Sequence, residues 1–252
     1  MENQQQLINQ NFPISSQTSD EDKLFLLNAI TTIKAKGITS FKYIEIGSFM
    51  GGSLTPFLLE NACSLIVSVD ERERQQPDER GAKYDYSGIT HQTMIDNLTS
   101  HDMDVSKLIT HDGSISSYDR GNNKFDIAFI DGEHSDIACC RDFAWTYPMM
   151  KESSIILFHD SSIVYKALAI ILELMHEKKV EFEIFKDQMS EVTAIFLGEF
   201  ARINHRDIFG NPEDWQSFQN RSEIRMLSSI IGHRVDFEVK PIIKPAPLFK
   251  AF

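Results

Sequence analysis

Two carboxylates, one of them beside a histidine, follow two apolar runs of the sequence. Residues 125–130 are nearly all apolar and end at Asp131, while residues 154–158 end at His159 and Asp160. If these runs are neighbouring buried strands, Asp131 and Asp160 lie close together, and like charges at that range need a cation or a shared proton. The sequence therefore predicts a divalent metal held by Asp131, His159 and Asp160. Oxygen ligands favour Mg²⁺, Ca²⁺ or Mn²⁺, and the imidazole shifts the preference toward Mn²⁺ or other transition ions.

A second histidine lies near the first of these carboxylates. His134 follows Asp131 by three residues and can reach the same end of the sheet. The near-neutral pKa of an ordinary imidazole suits a general base. The alternative is a surface histidine at the start of a helix. We take His134, with Asp131, as the candidate catalytic pair.

A glycine-containing segment follows the first apolar run. In YIEIGSFMGGSL, Gly47 and Gly51 permit a tight turn and close approach of a ligand to the backbone. The segment lacks GxGxxG, which disfavours a pyrophosphate cradle and makes a nicotinamide or flavin enzyme the minor alternative. Asp70 ends the next run, and an acid about 20 residues beyond such a turn can accept hydrogen bonds from ribose hydroxyls. A plain strand-to-helix connection and a solvated acid remain the alternatives.

The third apolar run leads into a short polar turn. Asp112 and Ser114 follow residues 108–110, where they can meet the edge of an adenine ring. A simple Asx turn explains the same residues equally well.

Alternation of apolar runs with helical or polar stretches determines the expected fold class. Five runs rich in β-branched residues are separated by such stretches, a pattern typical of an α/β fold with a parallel sheet and crossover helices. Two further runs are joined only by KDQMSE, too short for a crossover, so they are expected to form a closing antiparallel hairpin. The predicted strands are 43–46, 65–69, 108–110, 125–130, 154–158, 181–185 and 192–197.

Changes in composition and periodicity along the sequence divide the chain into three parts. Residues 1–19 are rich in Gln, Asn and Ser and are expected to be a weakly ordered, flexible arm. A helix capped by Ser19 or Asp20 and running to Gly37 begins the central domain, residues 20–199. Residues 200–252 form an appendage for substrate or oligomer contacts, with a helix over 223–231. Homo-oligomer formation is expected from apolar residues in the two end parts: Phe12, Ile14, Leu248, Phe249 and Phe252.

Composition excludes several classes of protein. The 252 residues carry a net charge of -12, which opposes binding to nucleic acid or to an anionic membrane surface. No apolar stretch approaches the roughly 18 residues of a membrane span, and the first residues do not read as a signal peptide. Cys63, Cys139 and Cys140 are too few for a disulfide framework. A cytoplasmic protein is expected.

Three segments, YIEIGSFMGGSL, FDIAFIDGEHS and SIILFHDSS, together resemble class I S-adenosylmethionine-dependent methyltransferases over about residues 40–165. The chain is most similar to the metal-dependent small-molecule O-methyltransferase branch, which includes macrolide-sugar methyltransferases and cephalosporin-hydroxylase-like proteins. The resemblance implies a Rossmann-like, seven-stranded, mostly parallel sheet with helices on both faces, and a methyltransferase domain over residues 20–199.

Residue roles follow from the same resemblance. The metal would lie on Asp131 and Asp160, with His134 as base. His159 stands where relatives often have a second acid, and residues 150–154 lack the usual glycine-bearing turn. The implied cofactor-binding residues run from the methionine end to the adenine end of S-adenosylmethionine: Glu45, Gly47, Ser48, Gly51, Ser53, Asp70, Asp112, Ser114 and Asp131.

The expected reaction is methyl transfer to a hydroxyl of a small molecule, assisted by Mg²⁺ or Mn²⁺. The preferred acceptor, by family resemblance, is a sugar or a nucleotide-linked sugar, with a catechol-like diol close behind. A phosphate-bearing acceptor would need basic residues of the appendage such as Arg202, Arg206 or Arg221. The alternative outside catalysis is an S-adenosylmethionine-binding partner protein.

Overall fold

A seven-stranded sheet with helices on both faces forms the centre of the protein. The computed structural model describes residues 2–72, 75–81 and 83–235. The strands are β1 (Phe41–Ile46), β2 (Cys63–Asp70), β3 (Gln75–Pro77), β4 (Lys83–Asp85), β5 (Leu108–Asp112), β6 (Phe125–Ile130), β7 (Met150–Phe158), β8 (Phe182–Lys186) and β9 (Thr193–Leu197). The helices are α1 (Glu2–Asn11), α2 (Asp20–Ala35), α3 (Thr55–Leu59), α4 (His91–Ser100), α5 (Asp136–Thr146), α6 (Tyr165–Glu177), α7 (Arg206–Phe209) and α8 (Trp215–Val235).

The strand order β5-β2-β1-β6-β7-β9-β8 confirms the predicted fold class. Strands β5, β2, β1, β6 and β7 pair in parallel. Strand β9 pairs antiparallel with both β7 and β8, which confirms the closing hairpin. Every residue of β6 is buried, because helices cover both faces of the sheet there. The carboxyl ends of the parallel strands therefore share one edge, where ligands bind in such sheets.

The segment after β2 contains a small hairpin that the sequence pattern did not reveal. Strands β3 and β4 pair antiparallel, Gln75 with Asp85 and Gln76 with Tyr84. The sequence between Asp70 and Tyr86 indicates only a long polar connection, because its few apolar residues show no strand period. The hairpin stands over the carboxyl edge of the sheet.

The N-terminal part is packed against the domain, contrary to the expected flexible arm. Residues 2–11 form α1, and Ile8, Phe12 and Ile14 are buried in the apolar core. Gly52 has no side chain because a Cβ there would lie 2.6 Å from that of Ser16. Residues 1–19 contain few apolar residues, so the sequence pattern did not predict that this segment packs on the domain. Its three buried apolar side chains attach it to the core.

Residues after β9 also pack on the sheet. Phe200 and Phe209 join the core cluster on one face, while Phe218 of α8 joins the cluster on the other. The helix predicted over 223–231 lies within α8. Residues 236–252, with Leu248, Phe249 and Phe252, lie outside the described residues. In the part of the chain that the structure describes, no helix combines the length and apolar character needed to cross a membrane.

Candidate functional site

A cavity of about 270 Å³ lies at the carboxyl edge of the sheet. Its walls come from the turns after β1, β2, β6 and β7, from the β3–β4 hairpin and from residues 15–18 of the N-terminal segment. Several predicted site residues line it together: Gly47, Ser48, Ser53, Asp70, Asp131, His134, His159 and Asp160. The structure thus brings the glycine turn and the acid–histidine pairs into one site.

The glycine turn is held against the end of β6. Gly47 has φ +89°, and a Cβ on it would lie 1.9 Å from the carbonyl oxygen of Asp131. The backbone N–H of Phe49 donates to Asp70 Oδ2 at 2.7 Å, which leaves the other carboxylate oxygen for a ligand. Ser48 Oγ is buried without a hydrogen-bond partner within the described residues. A polar ligand on this turn would satisfy that hydroxyl.

Two residues of the predicted cofactor set lie beneath the turn and do not line the cavity. Glu45 is fully buried and accepts hydrogen bonds of 2.5 Å from Tyr43 Oη and from Ser53 Oγ. Burial raises the pKa of Glu45 to about 8. Gly51 faces the side chain of Leu98. Both residues therefore support the turn from the protein interior and do not face the cavity.

The predicted adenine contacts separate in the structure. Ser114 and Gly113 line a narrow second cleft on the other side of Asp70, together with Asp142 of α5. Asp112 lines neither cavity, since its Oδ1 accepts a hydrogen bond of 2.8 Å from Arg72. Arg72 is buried between Asp112 and Asp70. Asp112 therefore anchors Arg72, while Ser114 remains the predicted residue at the adenine end.

Acids and imidazoles alternate across the site. His159 Nδ1 lies 3.0 Å from Asp131 Oδ1 and 3.2 Å from Asp160 Oδ2. His134 Nε2 lies 3.0 Å from the same Asp160 oxygen. The outer nitrogens of the two rings also face carboxylates: His159 Nε2 lies 3.2 Å from Asp22 Oδ2, and His134 Nδ1 lies 3.4 Å from Asp78 Oδ2.

This arrangement favours the protonated, cationic form of both histidines. Burial lowers the pKa of His134, but its hydrogen bonds to Asp160 and Asp78 outweigh burial and raise that pKa to about 10. The pKa of His159 is likewise held well above its ordinary value, despite burial, by Asp131, Asp160 and Asp22. For His134 this differs from the near-neutral value expected of a lone imidazole, because the sequence does not reveal the flanking acids.

The donor set for a divalent cation differs from the predicted one. Asp131, His134 and Asp160 each offer one ligand atom, and these atoms lie within 4.8 Å of one another. His159 is not part of this cluster, and its side chain is more buried than that of His134. The residues present fit a divalent cation in number and chemistry, provided that the cation displaces the proton that His134 shares with Asp160.

Several residues at the site were missed or ranked low in the sequence. By sequence, Tyr84, Tyr86 and His91 are only second-rank candidates for substrate contact, because they lie in or just beyond a long polar stretch; in the structure Tyr84 and Tyr86 line the cavity. Phe49 packs edge-on against Tyr86, with ring centroids 5.5 Å apart. His91, the third such candidate, bonds Thr110 away from the cavity. Asp22 and Asp78 gave no sequence signal beyond a helix start and a polar loop.

Comparison with known proteins finds a similar family model over part of the chain and solved structures with a similar fold. A family model described as a methyltransferase domain matches residues 44–161. The O-methyltransferase NovP superposes with a TM-score of 0.56 at 10% identity, over 73% of this chain and 84% of NovP. A candidate caffeoyl-CoA O-methyltransferase from Staphylococcus aureus superposes with a TM-score of 0.51 at 14% identity, over 79% of this chain and 100% of that protein. No curated protein matches the chain significantly.

Proposed function

We propose that the chain is a class I S-adenosylmethionine-dependent methyltransferase that methylates a hydroxyl oxygen of a small molecule. One observation carries the proposal. The turn that carries Ser48, whose hydroxyl has no hydrogen-bond partner among the described residues, lines one cavity with Asp70, the proposed ribose-binding acid, and with Asp131, His134 and Asp160. A methyl donor on the turn and an acceptor on the acid–imidazole cluster would therefore face each other.

The cofactor would extend across Asp70. Its methionine end would lie on the turn of Gly47 and Ser48, its ribose hydroxyls would donate to the Asp70 carboxylate, and its adenine would lie toward Ser114. The acidic lining of the cavity, with Asp70 and Asp131, suits the positive sulfonium.

In the proposed reaction, the acceptor oxygen forms a bond to the methyl carbon while the carbon–sulfur bond breaks. The sulfonium is already a good leaving group, so the protein supplies alignment and removal of the hydroxyl proton. His134 Nε2 is the proposed proton acceptor, and it must first lose the proton that it shares with Asp160. Asp78 on the β3–β4 hairpin faces Nδ1 and orients the ring.

We also propose assistance by a divalent cation, Mg²⁺ or Mn²⁺. Asp131 and Asp160 would hold it, with His134 as the third ligand in the geometry observed here. Bound there, it would supply Lewis acidity that lowers the pKa of an acceptor hydroxyl. His134 cannot ligate and accept a proton through the same Nε2 atom. Titration calorimetry with Mg²⁺ or Mn²⁺, and rates with and without a chelator, distinguish the two roles.

Within the proposed acceptor class, the charges favour an uncharged sugar over a nucleotide-linked one. The two described arginines that line the cavity are both paired, Arg72 with Asp112 and Arg80 with Asp78. Arg202 and Arg221, which a phosphate-bearing acceptor was expected to need, pair instead with Glu181 and Glu213. The aromatic wall of Tyr84 and Tyr86 would pack on the apolar face of a sugar or on a catechol ring.

The test is transfer of a labelled methyl group from S-adenosylmethionine to panels of sugars, nucleotide sugars and catechols. We expect Asp131→Asn and His134→Ala to abolish or strongly reduce transfer while binding of S-adenosylhomocysteine persists. His101→Ala, at an exposed position away from the cavity, is the matched histidine control. Binding of the nucleoside without transfer to any acceptor would favour the non-catalytic partner protein, and full activity in both site variants would contradict the proposed chemistry.

A further inference from the structure

Asp22 connects the N-terminal part of the chain to the reactive edge of the sheet. It lies in the first turn of α2, twenty-two residues before the segment matched by the family model begins. Its side chain is buried. The carboxylate accepts hydrogen bonds from four donors: Ser19 N at 3.0 Å, Ser190 Oγ at 2.8 Å, Glu191 N at 2.7 Å and His159 Nε2 at 3.2 Å.

Helix capping alone does not account for this arrangement. The capping box of α2 uses one of these four bonds, that from Ser19 N. The oxygen that accepts it, Oδ2, also accepts from His159, while Oδ1 accepts the remaining two. A capping amide or hydroxyl would satisfy the helix but not all four donors. The full carboxylate is needed only because His159 and the segment before β9 converge on it.

The contact with Asp22 determines which way the His159 ring points. An imidazole has two opposed ring nitrogens, so fixing Nε2 on Asp22 directs Nδ1 toward Asp131 and Asp160. The edge of Phe129 supports the ring, with centroids 5.8 Å apart. A freely rotating ring would leave two neighbouring carboxylates without their shared donor, and these would repel each other.

We infer that Asp22 is a positioning residue that acts through His159 to hold Asp131 and Asp160 in their reactive arrangement. The inference rests on the proposed function, because the importance of that arrangement depends on methyl transfer at this edge. It adds α2 and the N-terminal segment to the catalytic unit. Replacing a carboxylate that orients a metal-bound imidazole lowers activity about 10–100-fold, and we expect a loss in the lower part of this range for Asp22.

A double-mutant cycle tests whether Asp22 acts through His159. Asp22→Asn, His159→Asn and the double variant are compared with the wild type for kcat and KM and for binding of S-adenosylhomocysteine. His159→Asn retains a donor near the Nδ1 position but does not reach Asp22. We expect Asp22→Asn to lower kcat at least about tenfold with little change in cofactor affinity, and to have little further effect in the His159→Asn background.

Ser190→Ala is the matched control, because it removes one bond to the same carboxylate and leaves the His159 contact in place. It should lose stability in urea but retain kcat. Equal losses of kcat in Ser190→Ala and Asp22→Asn, or additive effects in the cycle, would reduce Asp22 to a structural role. Should Asp22→Asn fail to fold, Asp22→Ser, which keeps a hydroxyl acceptor for the helix cap, takes its place in the cycle.

A spectroscopic measurement separates this inference from the proposed function. In protein with ¹⁵N-labelled histidine, the Nε2 proton of His159 should give a slowly exchanging downfield signal, assigned by its loss in His159→Asn. The signal should disappear or shift strongly in Asp22→Asn and persist in Ser190→Ala. Absence of methyl transfer in the wild type would refute the proposed function alone, whereas an unchanged His159 signal in Asp22→Asn would refute the inference.

Discussion

Replacing Gly47 with alanine tests how the glycine turn and the end of β6 are held together. Gly47 has φ +89°, and a Cβ there would lie 1.9 Å from Asp131 O, whereas Cβ contacts below 3.0 Å essentially do not occur. The turn and the strand end must therefore separate by about 1.1 Å. The hydrogen bond from Asp131 N to Ile46 O, at 2.8 Å, resists that separation.

The expected loss has two parts. A left-handed backbone costs an alanine about 1–2 kcal/mol, and forcing an extra carbon into a packed site costs about 1–3 kcal/mol. Gly47→Ala should therefore lower the free energy of unfolding by about 2–5 kcal/mol. Displacement of Asp131 by about 1 Å should also lower the rate of methyl transfer on the order of 100-fold.

Gly37→Ala provides the control for the first part. Gly37 has φ +74°, but no atom of the described residues would lie within 4 Å of a Cβ there, so only the backbone cost of about 1–2 kcal/mol applies. Urea denaturation measures the stability of both variants, and calorimetry measures their affinity for S-adenosylhomocysteine. Equal stability losses in the two variants, or normal cofactor binding and turnover in Gly47→Ala, would refute the role assigned to the contact between Gly47 and Asp131.

Three further predictions follow from burial and charge. The value of kcat/KM should rise from neutral pH toward pH 10, because the proposed base, His134, must be neutral to accept a proton. Hydrogen bonds to Asp160 and Asp78 outweigh burial and raise the pKa of His134 to about 10. A flat pH–rate profile would exclude His134 as the proton acceptor. Burial raises the pKa of Glu45 from 4.5 to about 8, so the native state binds more protons than the unfolded state between these values and stability should fall as pH rises through them. Glu45→Gln should flatten that part of the dependence in urea denaturation, and an unchanged slope would contradict it. Burial also raises the pKa of the Cys63 thiol to about 12 and that of Cys139 well above its usual range, so a thiol reagent should modify both only after unfolding.

The sheet and the ends of its strands could be predicted from local patterns. Short segments rich in apolar residues, 43–46 and 125–130, mark β1 and β6. Gly47 and Asp131 follow them and must lie at one edge of the sheet once the strands are parallel. The methyltransferase family model that matches residues 44–161 agrees with the predicted class. The small β3–β4 hairpin and the packed N-terminal segment were not predicted, because neither has a strong hydrophobic period.

Residues adjacent in the sequence can have different partners in three dimensions, and this limited the prediction of the site. His159 and Asp160 were assigned together to a metal, but Asp160 faces His134 while the outer nitrogen of His159 faces Asp22. Asp112 is the last residue of β5 and is held by Arg72, away from both cavities. In each case the decisive partner lies far along the chain.

By itself the sequence determined the α/β class, the edge at which chemistry occurs and the acids and histidines present there, since strand periodicity and strand-end residues are properties of short segments. Only the tertiary structure decided how those groups pair. Asp22 and His159 are separated by 137 positions and meet because α2 packs beside the carboxyl end of β7. Asp78 meets His134 because Glu79 N donates to the His134 carbonyl and fastens the hairpin there. These contacts set the charge and orientation of both imidazoles, which depend on distances of a few ångströms in space.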